Sequence, residues 1–215
     1  MKEQLTQALI AGNADLVNAL TQALLAAGTP AREILDDALL PGMEVVGARM
    51  RSGECFIPEV LLSARTMQGA LDILKPHLGE GEGAGLGTVV LGTVEGDLHD
   101  IGKNLVGMLL QGAGFEVVNL GTGVTTQQFV EAVKEHAPVI VGMSALLTTT
   151  LPHMSETLAA LKEAGLRDGV KVMVGGAPVT EAYAKEIGAD GYGANAGMAV
   201  DRAKALAAQT ATQGV

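Results

Sequence analysis

Aromatic residues are nearly missing from this chain. It has no tryptophan, two tyrosines and three phenylalanines. So few rings argue against a base-stacking platform or an aromatic cage. A single cysteine, Cys55, excludes an intrachain disulfide framework and fits a reducing compartment. No long basic run occurs, and the net charge is −10, so a phosphate-tracking surface is not expected. No apolar stretch reaches membrane-spanning length, and Met1 to Leu5 lacks the apolar core of a signal peptide. The expectation is a soluble, cytoplasmic protein that engages neither nucleic acid nor membrane. No G-x-G-x-x-G follows a strand; Gly85-Leu86-Gly87 matches it in part but precedes one, which argues against a dinucleotide site.

What is present divides at an alternating glycine run, Gly79 to Gly87, which holds neither helix nor strand cheaply. The expected organisation is a helical region over 1–80, a linker over 81–87 and a second domain over 88–215. The first region reads as four amphipathic helices in an antiparallel bundle. Lys2 to Ile10 forms the first. The second starts at the N-cap Asn13 and ends at Gly28. The third takes Thr29 as N-cap and Pro30 as its first helical residue, and runs to Gly53 with a kink at Pro41. The fourth opens near Pro58 and reaches about Leu78.

After the linker, strands and helices alternate. Strands are expected near 88–94, 115–120, 138–143, 170–174 and 189–192, with helices near 101–113, 125–136, 151–165, 179–187 and 196–209. This alternation implies a parallel sheet in the flavodoxin-like order 2-1-3-4-5, whose switch point lies between the first and third strands. The segment Gly96-Asp97-Leu98-His99-Asp100-Ile101-Gly102-Lys103 follows the first strand. It presents a histidine at the edge where open α/β sheets bind ligands, with a carboxylate two residues away that can orient the ring and raise its basicity. Ser144-Ala145-Leu146 follows the third strand and Gly175-Gly176 the fourth.

Asp-x-His-x-x-Gly, then Ser-x-Leu, then Gly-Gly, each at a strand end, resembles the cobalamin-binding fingerprint. Nearly the whole chain is similar to the methyltransferase-associated corrinoid proteins and to the cobalamin-binding fragment of methionine synthase. Gly42 to Gly47, Phe56 to Val60 and Ser63 to Met67 resemble that family's cap helices. The resemblance implies an α/β fold: an N-terminal four-helix bundle cap, then a flavodoxin-like (Rossmann-like) parallel-sheet cobalamin-binding domain. It implies cobalamin or a related corrinoid, with cobalt, as cofactor. It makes His99 the lower axial ligand and Asp97 the partner of the other ring nitrogen. Thr150, six residues after Ser144, completes the relay where methionine synthase has serine. Gly96, Leu98, Asp100 and Leu146 belong to the motifs lining the cofactor. Ser144 and Thr148 would meet the nucleotide end or ring edge, Gly102, Gly175 and Gly176 would let the tail pass close to the backbone, and Asn195 and Ala196 would lie near corrin and tail. Phe56 would cover the upper face. The implied role is a methyl carrier, the corrinoid subunit of a multicomponent methyltransferase system. A donor-specific methyltransferase would load the cobalt, and a second one, using tetrahydrofolate or coenzyme M, would unload it. A reductive activator is a further expected partner.

Other readings compete. A cobalamin-dependent sensor shares both halves but adds a DNA-binding segment for which this chain has no spare length. A mutase cobalamin subunit shares the fingerprint without the four-helix cap. A metal-free flavodoxin-like module shares only the sheet. His77, His136 and His153 read as surface or capping residues, Cys55 as structural, and Met43, Met50 and Met67 as core filler.

Overall fold

The computed structural model describes residues 1–78 and 85–212. Of the linker expected over 81–87, residues 81–84 lie outside the described residues. The chain forms two compact units, Met1–Gly85 with Met108–Phe115, and Leu86–Gly107 with Glu116–Val215.

The first unit contains α1 (Lys2–Ile10), α2 (Ala14–Ala26), α3 (Ala31–Ile34), α4 (Leu40–Ser52) and α5 (Ile57–Leu74). Asn13 caps α2, its Oδ1 accepting from the Leu16 N–H at 3.1 Å. The third helix starts one residue later than expected, with Pro30 rather than Thr29 at the N-cap. Thr29 is spoken for by the end of α2. Its N–H donates to the Leu24 carbonyl and that of Gly28 (φ +84°) to Leu25, the paired closure of a Schellman motif. Before Pro41, where a kink is expected, the helix widens into a π-helical turn, Leu35–Leu39, in which the Leu40 N–H reaches back to the Leu35 carbonyl. Proline has no N–H to continue the normal ladder, and the wider turn absorbs the mismatch just before α4. Phe56 caps α5, its N–H donating to the Glu59 carboxylate at 2.8 Å. The α-helix stops at Leu74, and a 3₁₀ turn, Lys75–His77, carries the chain on, because Pro76 again lacks the N–H. Helix α2 packs on α5, and α1 on α2 and α4. Leu5, Leu9, Ile34, Leu35, Met67 and Leu74 are all fully buried in this unit.

The second unit is built on a five-stranded parallel sheet in the order β2-β1-β3-β4-β5. The strands are β1 (Thr88–Thr93), β2 (Glu116–Asn119), β3 (Ile140–Ser144), β4 (Lys171–Gly175) and β5 (Gly191–Gly193). The helices are α6 (Ile101–Gly112), α7 (Thr126–His136), α8 (Pro152–Glu163), α9 (Glu181–Glu186) and α10 (Ala196–Thr212). Helix α6 is shared: its first half belongs to this unit, and its second half, from Met108, to the helical one. The central strands are apolar on both faces, as a parallel sheet covered by helices requires. Val90, Val141 and Val172 pack with Phe129 of α7 and with Met154 and Leu161 of α8. Phe129 is wholly buried, and cutting it to alanine is expected to cost about 3–5 kcal/mol.

The register lines up the strand ends. Thr93 of β1 pairs with Ser144 of β3, Ser144 with Gly175 of β4, and Gly175 with Gly193 of β5. The three sequence motifs therefore leave the sheet side by side along its carboxyl edge.

Candidate functional site

The turn after β1 holds the site. Gly96 adopts φ +77°, a left-handed conformation that reverses the chain directly before Asp97. Asp97 is fully buried, and both its carboxylate oxygens are in use. Oδ1 accepts from the His99 N–H at 3.0 Å and from His99 Nδ1 at 2.7 Å. Oδ2 accepts from the Leu146 N–H at 2.6 Å, the Leu147 N–H at 3.1 Å and the Thr150 hydroxyl at 3.1 Å. Burial pushes the pKa of Asp97 up, but the hydrogen bonds from Leu146, His99 and Leu147 outweigh it and hold the carboxyl well below the usual carboxylate range. A permanent carboxylate accepts only, so His99 Nδ1 carries its proton toward Asp97. The lone pair of the neutral ring is then on Nε2. The His99 side chain is 52% exposed.

The loops that carry His99 and clamp Asp97 also expose apolar side chains. Leu98 and Ile101 are 77% and 84% exposed, and Leu146 and Leu147, whose main chains clamp Asp97, are also exposed. Among the described residues no group of three or more His, Cys, Asp or Glu side chains could hold a metal ion. One oriented imidazole on loops with exposed apolar side chains suits a metal that brings its other ligands in its own flat macrocycle.

The remaining expected residues divide into three sets. Asp97, His99, Leu146 and Thr150 are joined by direct hydrogen bonds, and Ser144 sits at the end of β3 beside them, its carbonyl accepting from the Val94 N–H. Gly102 lies in the first turn of α6 with open space where a side chain would be. Thr148 is exposed and starts the 3₁₀ turn Thr148–Thr150, which ends on the buried Thr150. Asp100 accepts from Asn104 Nδ2 at 2.9 Å at the head of α6. Other positions have intrachain duties. A Cβ on Gly176 (φ +123°) would lie 1.8 Å from the Ala145 carbonyl oxygen, and one on Gly175 3.1 Å from that of Gly193. These glycines let neighbouring backbones meet. Asn195 caps α10, its Oδ1 accepting from the Met198 N–H at 2.9 Å, and Ala196 is buried. Phe56 lies in the other unit and is largely exposed.

Sequence reasoning missed several groups. The Leu147 N–H contacts Asp97 Oδ2, the Gly123 N–H donates to the Asp97 carbonyl at 3.0 Å, and Thr93 bonds the His99 carbonyl. Lys103 is buried with its ammonium on Asn104 and Asn119, each at 2.7 Å. Only Lys103 carried a visible signal, a cation on the apolar side of an amphipathic helix.

Two family models, each described as a B12 binding domain, match residues 87–201 and 1–75. A dimethylamine corrinoid protein from Methanosarcina barkeri is 45% identical over 207 residues, 96% of this chain and 97% of that protein. The chain belongs to the corrinoid protein family. A further family member, a corrinoid protein from Desulfitobacterium hafniense, is 42% identical over 95% of this chain and 96% of its own length. The crystal structure of a cobalamin-binding protein from the same species superposes with a TM-score of 0.78 at 38% identity, covering 96% of this corrinoid protein and 98% of that chain. The methanol:cobalamin methyltransferase complex from Methanosarcina barkeri gives 0.84 at 34% identity, covering 95% of this chain and 78% of that one. The cofactor of this corrinoid protein is thus a cobalamin-type corrinoid.

Proposed function

We propose that this corrinoid protein is a methyl carrier in which His99 binds cobalt from the lower face. The observation that carries the reading is the Nδ1–carboxylate bond of 2.7 Å, which leaves Nε2 as a free, oriented donor at the sheet's carboxyl edge. Bound corrinoid supplies a cobalt centre that accepts a methyl group and gives it up again. The chain's residues do the rest. Asp97 fixes the tautomer and tilt of the imidazole and raises its donor strength. The Leu146 and Leu147 amides keep Asp97 ionised, so the ring always faces a negative partner when its other nitrogen is bound or released. Leu98, Ile101, Leu146 and Leu147 are exposed apolar side chains that would hold a macrocycle, and the open space at Gly102 would admit its tail. Ser144 and Thr148 supply hydroxyls along the same edge.

A separate donor-specific methyltransferase loads the carrier. The relatives are named for dimethylamine, trimethylamine and methanol systems, and we infer a donor of this class, a small molecule with a methyl group on nitrogen or oxygen. A second methyltransferase, with tetrahydrofolate or coenzyme M as acceptor, unloads it, and a reductive activator restores cobalt that has been oxidised. The test is electron paramagnetic resonance of the protein reconstituted anaerobically with hydroxocobalamin and reduced to cobalt(II). Growth with nitrogen-15 histidine is expected to change the superhyperfine pattern of the wild type, since the two nitrogen isotopes differ in nuclear spin. His99→Ala is expected to abolish that isotope effect. A pattern insensitive to the histidine label would show that the lower nitrogen is not from the protein and would sink the assignment of His99.

A further inference from the structure

We propose that Thr93 is a positioning residue for His99, an inference that rests on the reading of His99 as the lower ligand. Thr93 is the last residue of β1 and is fully buried. Its backbone is locked on one side by the loop after β2: its N–H donates to the Gly121 carbonyl at 3.0 Å, and its carbonyl accepts from the Val124 N–H at 2.9 Å. On the other side it pairs in register with Ser144. A β-branched side chain on so fixed a backbone has little rotamer freedom.

The hydroxyl ignores its own strand. It reaches across the turn and donates to the His99 carbonyl at 2.9 Å. That carbonyl precedes α6, which starts at Ile101, and the buried Thr93 hydroxyl supplies its partner. His99 is therefore held at three points. Its N–H and its Nδ1 bind Asp97 Oδ1, and its carbonyl binds Thr93. The two Asp97 bonds set the tautomer and tilt of the ring. The Thr93 bond ties the peptide that carries the ring to the most rigid element nearby, the centre of the sheet. Without it the peptide after His99 loses its tie to β1, and the imidazole would be held only through its bonds to Asp97. Metal ligation tolerates little displacement of the ligand, which is why groups behind a ligand matter to metal affinity.

The experiment uses the full chain with nitrogen-15 histidine, reconstituted with hydroxocobalamin and reduced to cobalt(II). Wild type is compared with Thr93→Val, Thr93→Ser and Thr93→Ala by electron paramagnetic resonance. Valine keeps the shape and loses the hydroxyl. Serine and alanine both lose the methyl and differ from each other only in the hydroxyl, so that pair decides the matter even if Thr93→Val does not fold. The valine and alanine variants are expected to take up cobalamin at the wild-type stoichiometry, with the ratio of histidine-bound to histidine-free cobalt falling about tenfold. Thr93→Ser is expected to keep the wild-type ratio. Equal ratios in serine and alanine variants, whether high or low, would overturn the role of the hydroxyl while leaving His99 as the ligand. Absence of the histidine isotope effect in the wild type would instead overturn the ligand reading itself and this inference with it.

Discussion

At the scale of single residues the site is organised around one carboxylate. Five donors converge on Asp97: two from His99, the amides of Leu146 and Leu147, and the Thr150 hydroxyl. Thr150 has one proton to give and a second acceptor, the Leu147 carbonyl at 2.9 Å. Its loss leaves Asp97 four donors, so Thr150→Val is expected to cost only about 1 kcal/mol. Asp97→Asn places an amide NH₂ against donors on one side or the other and is expected to cost about 3 kcal/mol. The two variants also differ in pH dependence. The pKa of Asp97 is depressed in the folded apo-protein, so its stabilisation is fully present above the unfolded value of about 3.9 and is lost as pH falls toward the folded one. The gap in thermal midpoint between wild type and Asp97→Asn is therefore expected to be constant near neutrality and to narrow below about pH 4. A gap of unchanging width down to pH 3 would show that the carboxylate's charge contributes nothing.

At the scale of elements, the strand ends do the positioning, and glycines at those ends have two different duties. Gly176 is required by the fold, since its Cβ would overlap the Ala145 carbonyl and its φ is positive. Gly176→Ala is expected to destabilise the apo-protein by about 3 kcal/mol or more. Gly102 faces open space within a helix, so Gly102→Ala is expected to stabilise the apo-protein by about 0.5–1 kcal/mol. If the corrinoid tail passes there, the same alanine lowers cobalamin affinity; thermal melts and a cobalamin titration of both variants separate the two duties. A third position shows an element end under strain. Ala137, after α7, takes φ +42°, a left-handed conformation that suits glycine at a helix terminus. Ala137→Gly is expected to raise stability by about 1 kcal/mol, read as a higher melting temperature.

The element order, the strand order and the Asp97–His99–Thr150 constellation were legible because hydrophobic period and residue type carry them. What was not legible runs through the main chain. The Leu147 and Gly123 amides would serve equally on any residue, so no letter of the sequence announces them. Thr29 looked like a cap because its side chain can cap, but the cap position falls on Pro30, which has no side-chain acceptor. The π-helical turn before Pro41 arises from a missing donor, whose effect falls on residues upstream of the proline itself.

At the scale of the whole molecule, the two compact units do not divide at one point of the sequence. Met108–Phe115, the second half of α6 and the turn beyond it, groups with the helices of the first unit, where Gly112 lies so close to Met43 that a Cβ would come within 2.8 Å of the Met43 methyl. Asp97, His99, Leu146, Thr150 and Gly176 all belong to the other unit. A fragment of residues 86–215 therefore keeps every hydrogen bond of the histidine site but strips one flank of α6 of its packing. Each buried methylene so exposed is worth about 0.8 kcal/mol. The fragment is expected to melt lower than the full chain and yet, reconstituted with cobalamin, to retain the isotope-sensitive coupling from His99. The same bound cofactor should stabilise it by mass action, about 2.7 kcal/mol at a hundred times the dissociation constant. A fragment that folds by circular dichroism but shows no histidine coupling would mean that ligation depends on more than the sheet edge, and that the helical unit contributes to the placement of His99.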